Sequence, residues 1–464
     1  MARATTYAAL WPRFFTLAAC AATAALIGCT SIDARPDIER SASIVAERSG
    51  TPAVWNETIE AAFSSWDGRA VLTLETALTI SLRNNREIRA AVESIAVSRA
   101  DLVQAGLLPN PVIALTLGLP FDPVSGGTFI GASLVQSFTA LWLRDGKIRA
   151  ADARLNQTVL DVSDKALRLV AEVKATHTRI AFGQLAASLS DESLDVIQRS
   201  IDTLDARVRS GEGTSLDTNR ARQQLAAGRA TAAFVIRDLA KERRRMLELM
   251  GFATQQAEWS AASSDSPLPA AELDEPAAMQ LAAANRLDIA AARAIVEAQR
   301  ADLGVEELSR LKDLGIGADF ERESDGRKTI GPIVEVAIPI FDANQAQIAK
   351  AGSLARAALF TYEALAQRAA REVRVAWVDL DAAGRLVGQY RSGVLPLAER
   401  NLSLATAALN SGQIDVTVLL EAQRDLIDAR RTLNDLERDA ALARIALEQA
   451  AGGTLDQAQP TAHP

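Results

Sequence analysis

The chain has 464 residues and a formal net charge of −8, which excludes the basic face that nucleic-acid binding requires. Its only cysteines, Cys20 and Cys29, fall in the first thirty residues, so an exported, processed chain has no disulfide framework and no thiol chemistry. Aromatic residues make up 5% of the chain and alanine is abundant, which suits closely packed helices better than one thick core.

Residues 1–28 read as a lipoprotein signal peptide. Arg3 and Arg13 supply charge, Phe14 to Ile27 an apolar stretch, and Leu26-Ile27-Gly28-Cys29 has the form of a bacterial lipobox, in which Cys29 is lipidated. Residues 29–70 are expected to be a lipid-anchored, extended N-terminal segment. No later stretch is apolar for long enough to make a spanning helix.

From residue 71 the chain says nearly the same thing twice. Arg83-Asn84-Asn85-Arg86-Glu87-Ile88 is echoed by Ala284-Asn285-Arg286-Leu287-Asp288-Ile289, Ser210-Gly211 by Ser411-Gly412, and Gly251 by Gly452. An echo at so constant an offset implies two internal repeats, each a long structural unit that packs on the other.

The first repeat, 71–251, opens with a helix from Thr73 that ends at Leu108-Pro109-Asn110-Pro111, where proline stops it. A β-hairpin at 112–138 follows, then an unbroken helix from about Arg144 to Arg209, a break at Ser210-Gly211, and a helix from Ser215 to Met250. Residues 252–274 form a linker. The second repeat, 275–453, gives a helix from Glu275 to Leu311, a hairpin at 316–338, an unbroken helix from Ala343 to Asn410, a break at Ser411-Gly412, and a helix from Asp415 to Ala450. Residues 454–464 are a tail. Each uninterrupted helix would be roughly 100 Å long, a wall whose strips only neighbouring helices can bury.

The strands alternate. Ile113, Leu115, Leu117 and Leu119 stand between small or polar residues, and Ile316, Ala318 and Phe320 alternate with Gly317, Asp319 and Glu321. Apolar-out, polar-in alternation marks a membrane β-barrel, and also fits a soluble sheet with one wet face; the export signal favours the outer membrane. Four strands cannot close a barrel in lipid, so the chain must oligomerise, with two copies giving eight strands and three giving twelve.

At this point the residues resemble the TolC-like outer-membrane efflux proteins, in their lipid-anchored branch. The likeness covers about 70–453 and rests on the doubled helix–hairpin–helix–helix plan, on Gln104-Ala105-Gly106-Leu107-Leu108-Pro109-Asn110-Pro111, and on the two glycine turns. It implies a mainly α protein with membrane β. Three copies would share a 12-stranded outer-membrane β-barrel that continues into a 12-helix periplasmic α-barrel.

It also implies an exit duct of a tripartite efflux system, opened by a periplasmic membrane-fusion adaptor and energised by an inner-membrane pump of the resistance-nodulation-division or ABC type. Gly211 and Gly412 suit helix C-caps, while Thr214 and Asp415 are N-cap types. The resemblance makes Ser210, Gly211, Thr214, Ser411, Gly412 and Asp415 the adaptor-docking tips. It places Glu421 near a closed aperture, with Arg220 its counterpart in the first repeat and Arg424 a neighbour; a family carboxylate six residues after the glycine is here Val418. The plainer reading pairs Glu421 with Arg424 or Arg220 on a helix face.

Enzyme signatures are missing: there is no nucleophile elbow, zinc-protease motif or phosphate loop, and His177 and His463 cannot build a metal centre alone. No cofactor is expected beyond lipid on Cys29. Alternatives are the outer-membrane component of type I protein or peptide secretion, or a non-channel periplasmic coiled-coil scaffold lipoprotein. The cargo is not encoded in any visible motif.

Overall fold

The computed structural model describes residues 32–55, 66, 68–119, 128–252, 259–262, 274–310, 314–323 and 325–455. Cys29, the signal peptide and most of the C-terminal tail lie outside them. The first half contains α1 (Arg35–Ser49), α2 (Leu74–Asn84), α3 (Arg86–Gly106), β1 (Val112–Gly118), β2 (Phe129–Ser137), α4 (Thr139–Ser210) and α5 (Ser215–Leu249). The second contains α6 (Glu275–Asn285), α7 (Leu287–Leu308), β3 (Leu314–Arg322), β4 (Lys328–Val336), α8 (Gln345–Gln389), a π turn (Tyr390–Val394), α9 (Leu395–Asn410) and α10 (Val416–Ala451).

The spine is α4, 72 residues without a proline, roughly 108 Å at 1.5 Å per residue. Helices α1, α2, α3, α5, α7 and α10 all pack against it. Gly146 permits a close approach of α7, since a Cβ there would sit 2.6 Å from Val305 Cγ2.

Four expectations need correction. The first helix of each half is broken in two, at Asn85 and at Arg286, whose ψ angles of 119° and 117° leave the helical region. Side chains drive both breaks. Asn85 Oδ1 accepts the N–H groups of Glu87 and Ile88 and so caps α3, while its Nδ2 donates to Leu249 O at 3.2 Å. Arg286 donates to Ala450 O at 3.3 Å and forks onto Asp288 at 2.7 and 3.0 Å. Leu249 and Ala450, like Asn85 and Arg286, are separated by the echo's offset, so the same contact is made in both halves with different chemistry.

The helix expected over 343–410 is also interrupted. Pro396 has no N–H and would clash with the turn before it. The chain widens into a π turn in which Leu395 N–H reaches back five residues to Tyr390 O. The N-terminal segment is not wholly extended either: α1 begins with Pro36 in its first turn, carries Asp37 there, and stops at Gly50 with φ +69°. Arg99 Nε donates to Asp37 at 2.6 Å and Ser41 bonds Ser163 at 2.8 Å, which lashes α1 to α3 and α4. Finally, residue 252 and residues 259–262 are packed, not a free linker: Trp259 and Ala261 are buried, and Leu72 exchanges backbone bonds with Ser260 and Ala262.

The four strands form one antiparallel sheet in the order β1-β2-β3-β4, so the two hairpins join through β2 and β3. The register sorts the side chains. Ile113, Leu115 and Leu117 oppose Leu134, Ala132 and Ile130; Leu134 opposes Ala318, and Ala132 opposes Phe320; Ile316 and Phe320 oppose Val334 and Ile330. That face is apolar between Gln136 at one end and Arg322 and Lys328 at the other, and it is open to the outside, with Leu115 at 79% and Ile330 at 80% exposure. The other face carries Thr116, Ser133, Asp319, Glu321, Thr329, Glu335 and several glycines, and in β3 its residues are the less exposed ones.

The main core lies where α2, α3, α4 and the end of α5 meet, around Leu72, Ile80, Leu82, Val159, Met246 and Met250. Trp66 stacks edge-on to Trp259 at 5.7 Å beside it. His177 of α4 is buried there, donating Nε2–H to Leu72 O at 3.0 Å. Burial pushes its pKa below the ordinary histidine value, with the Leu72 bond opposing. The unfolded chain therefore takes up a proton at higher pH than the native one. Stability from the neutral ring is complete above the unfolded pKa of about 6.5 and is lost as pH falls through the lower folded value. Thermal unfolding followed between pH 7.5 and 5.5 should show Tm falling with acidification, and His177→Gln should flatten that slope; parallel slopes would assign the pH response elsewhere.

Gly452 closes α10 with φ +81°, and an added Cβ would lie 2.9 Å from Asn285 C and 3.0 Å from Arg286 N. Gly412 has φ +72° with open space around it. Gly412→Ala should cost only the left-handed strain, about 1 kcal/mol. Gly452→Ala should cost more because backbone must move. Equal Tm shifts in the two variants would show that the Gly452 contact tolerates a methyl group.

Candidate functional site

The end of the helical body farthest from the sheet carries two adjacent turns. Gly211, at φ +80°, ends α4: Glu212 N–H bonds Arg207 O at 2.9 Å and Gly211 N–H bonds Val208 O at 3.1 Å. Gly412 ends α9 in the same way, with Gln413 N–H on Ala408 O at 2.8 Å. Ser210 and Ser411 turn their hydroxyls back onto Arg207 O and Ala408 O, each at 3.0 Å.

The restarting helices are capped by side chains. Thr214 Oγ1 accepts Asp217 N–H at 3.3 Å and donates to Asp217 Oδ2 at 2.6 Å. Asp415 accepts Thr417 N–H at 3.2 Å. A contact between the turns goes beyond capping: the Arg207 guanidinium, in the last turn of α4, is paired with the Asp415 carboxylate. Between two and three turns farther up, Arg424 donates to Gln224 Oε1 at 3.3 Å, joining α10 to α5.

These residues surround a groove of about 400 Å³ lined by Arg207, Thr214, Arg220, Gln224, Glu421 and Arg424. Its floor is apolar, with Val196, Ile197 and Leu420 among the lining. The structure therefore brings Glu421, Arg220 and Arg424 together around one recess. It does not pair them: Arg424 turns to Gln224 and to Asp428 at 3.9 Å, and among the described residues Glu421 and Arg220 make no ion pair. Glu421 is exposed, as are Gly211, Gly412 and Asp415.

Arg207 and Gln224 were not among the sequence candidates. Arg207 had a signal, a cation in the last turn before a C-cap glycine, where it also complements the helix dipole; its partner could not be read from spacing.

A larger cavity of about 520 Å³ lies where α1, α4, α8 and α10 converge. Its charges are largely spent on one another: Lys174 pairs with Glu448 at 2.8 Å, Arg286 with Glu372 at 2.8 Å, and Arg168 with Asp164 at 2.7 Å. Burial raises the Asp164 pKa, with Arg168 opposing. This cavity joins helices and has no free chemistry to offer. Among the described residues, no group of His, Cys, Asp and Glu could hold a metal ion, and no helix is long and apolar enough to cross a membrane.

A mostly helical chain with long paired helices, two tip turns and one outward-apolar four-stranded sheet has the fold of the TolC-like channels. The solved outer-membrane channel OprN superposes with a TM-score of 0.68 at 20% identity, covering 87% of this chain and 97% of that one. Residues 278–453 match the outer membrane efflux protein family model. The cobalt-zinc-cadmium resistance protein CzcC of Cupriavidus metallidurans is 25% identical over 77% of this chain and 85% of its own. The pyoverdine export outer membrane protein OpmQ of Pseudomonas putida is 24% identical over 85% and 89%. Over its second half the chain is thus similar to the outer membrane efflux protein family. It is an efflux protein and not an enzyme.

The Arg207–Asp415 pair is partly exposed, so it contributes about 0.2–1 kcal/mol. Arg207→Ala should accelerate amide hydrogen exchange at 412–415 by no more than about five-fold. Unchanged exchange would mean that the capping bonds alone hold the two turns.

Proposed function

We propose that three copies of this chain form a passive exit duct in the outer membrane of a Gram-negative bacterium, with Cys29 lipid-anchored and most of the chain in the periplasm. The sheet carries the argument. It has two open edges, β1 and β4, and unpaired edges are not tolerated in lipid. One face is apolar between its polar ends, and the other carries the carboxylates and hydroxyls. Pairing β4 of one copy with β1 of the next keeps every neighbour antiparallel and puts the polar face inward. Three copies then give a 12-stranded barrel, and α3, α4, α5, α7, α8, α9 and α10 supply the wall of a helical tube.

The duplicated plan is the source of both halves of that wall. Asn85 on Leu249 and Arg286 on Ala450 are equivalent contacts, which supports two internal repeats. The start of α1 points along α4 toward the sheet, with Arg40 on Asn156 and Ser41 on Ser163. Five residues then separate Arg35 from Cys29, a reach of about 20 Å over six Cα steps.

The tip turns are the surface for a periplasmic adaptor with its own helical hairpin. Glu421, unpaired within the protomer, is the aperture residue, and an inner-membrane pump supplies the energy. The two curated relatives are named for unlike cargo, metal resistance and pyoverdine export. Cargo choice therefore rests with the pump that feeds the duct.

Full-length protein extracted in detergent should run as a trimer by light scattering and form pores in planar bilayers. A soluble monomer released by Cys29→Ser would overturn the duct. In such bilayers Glu421→Ala should raise single-channel conductance; no change would move the constriction elsewhere.

A further inference from the structure

Within one protomer the wall has two free lateral sides. Contacts run in the order α3–α4–α7–α8 near the sheet and α5–α4–α10–α9 toward the tips. One side therefore presents β1, α3 and α5, and the other presents β4, α8 and α9. On α5 the residues turned to α4 include Ala221, Leu225 and Ala232. Two residues past Ala232, and about 200° around the helix, stands Phe234, 57% exposed, with the Arg237 guanidinium 4.9 Å from its ring centre.

On the opposite side, Val387, Tyr390 and Leu395 pack toward α10. All five residues of the π turn are unburied. Gly388, Ser392 and Gly393 present no large side chain, and nothing lies within 4 Å of a Cβ built on Gly388 or Gly393. Leu386, Val394 and Leu397 are exposed around them. The π turn thus presents small side chains between exposed apolar ones.

Height decides what meets this surface. The two tip turns are level with one another, because Arg207 of one pairs with Asp415 of the other. Phe234 lies 19 residues above the start of α5 at Ser215, and Arg391 lies 19 residues above the end of α9 at Asn410. Both are roughly 28 Å above the tips. A rotation axis along the tube moves every residue horizontally, so neighbouring copies touch at equal heights.

We propose that Phe234 of each copy seats in the π turn Tyr390–Val394 of its neighbour. This rests on the trimeric duct proposed above and adds the residue that sets the lateral register. The occupant is a second copy of this chain, for three reasons: the matched heights, an exposed ring level with a stretch of small side chains, and the sheet edges that run along the same two sides. Gly388, Ser392 and Gly393 are small enough for an aromatic ring to approach the backbone there.

The chain's only cysteines lie at positions 20 and 29, so engineered pairs report cleanly. Full-length F234C/S392C, oxidised in native membranes, should yield covalent dimer and trimer bands that reduction removes, with neither single variant doing so. F234C/L404C, displaced by 12 residues or about 18 Å along the helix, should give none. Protein that is trimeric by light scattering but uncross-linked at 234–392, or cross-linked equally well at 234–404, would overturn this seat and leave the duct standing. A monomer in detergent would overturn both. Phe234→Ala should lower the temperature at which the trimer dissociates, whereas Phe234→Trp should hold it near the wild-type value.

Discussion

Everything in the fold is referred to one uninterrupted ladder of hydrogen bonds, that of α4. A helix of 72 residues has no stability of its own to spare, and α4 gains it from six neighbours that bury successive stripes of its surface. The consequence is a common ruler. The sheet hangs from its first residue, the main core with His177 sits near its middle, and Gly211 ends it at the tip. The corresponding path in the second half is broken by Pro396, so α8 and α9 are free to depart from a straight line while α4 is not.

Much of this was open to a reader of the sequence, for a physical reason. Alternation of Ile113, Leu115 and Leu117 with smaller residues has a period that only a strand can use, so the hairpins and their faces could be located. Gly211, Gly412, Thr214 and Asp415 act within a few residues of themselves, so the turns were legible too. The helix breaks at Asn85 and Arg286 were hidden, because neither residue is a helix breaker by itself. Each breaks its helix by bonding a carbonyl 164 residues away. Pro396 is the opposite case: its signal stands in the open within a segment whose apolar spacing otherwise argues for one helix. At the tip, Glu421, Arg220 and Arg424 could be named from the repeat, but not the pairing of Arg207 with Asp415, which exists only when two turns are brought side by side.

The two halves share a scaffold and differ in charge. At the kinks an amide does in the first half what a guanidinium does in the second. At the tips Arg220 stands where Glu421 stands. Equivalent backbone contacts with unlike side chains give the two halves different chemistry on one plan. The groove between Arg220 and Glu421 is where that difference is concentrated.

The pairing of β2 with β3 carries a last consequence, for the order in which the molecule can be made. Ile130 lies opposite Arg322, and Ser137 opposite Gly315. The sheet's central seam therefore joins residues about 180 to 190 positions apart, and loop closure over such a span is slow compared with forming helices. During synthesis the first hairpin emerges long before its partner exists. The helices can zip locally while the apolar strands wait. For that interval the chain carries an unfinished, adhesive edge, and its most vulnerable moment comes before the seam closes.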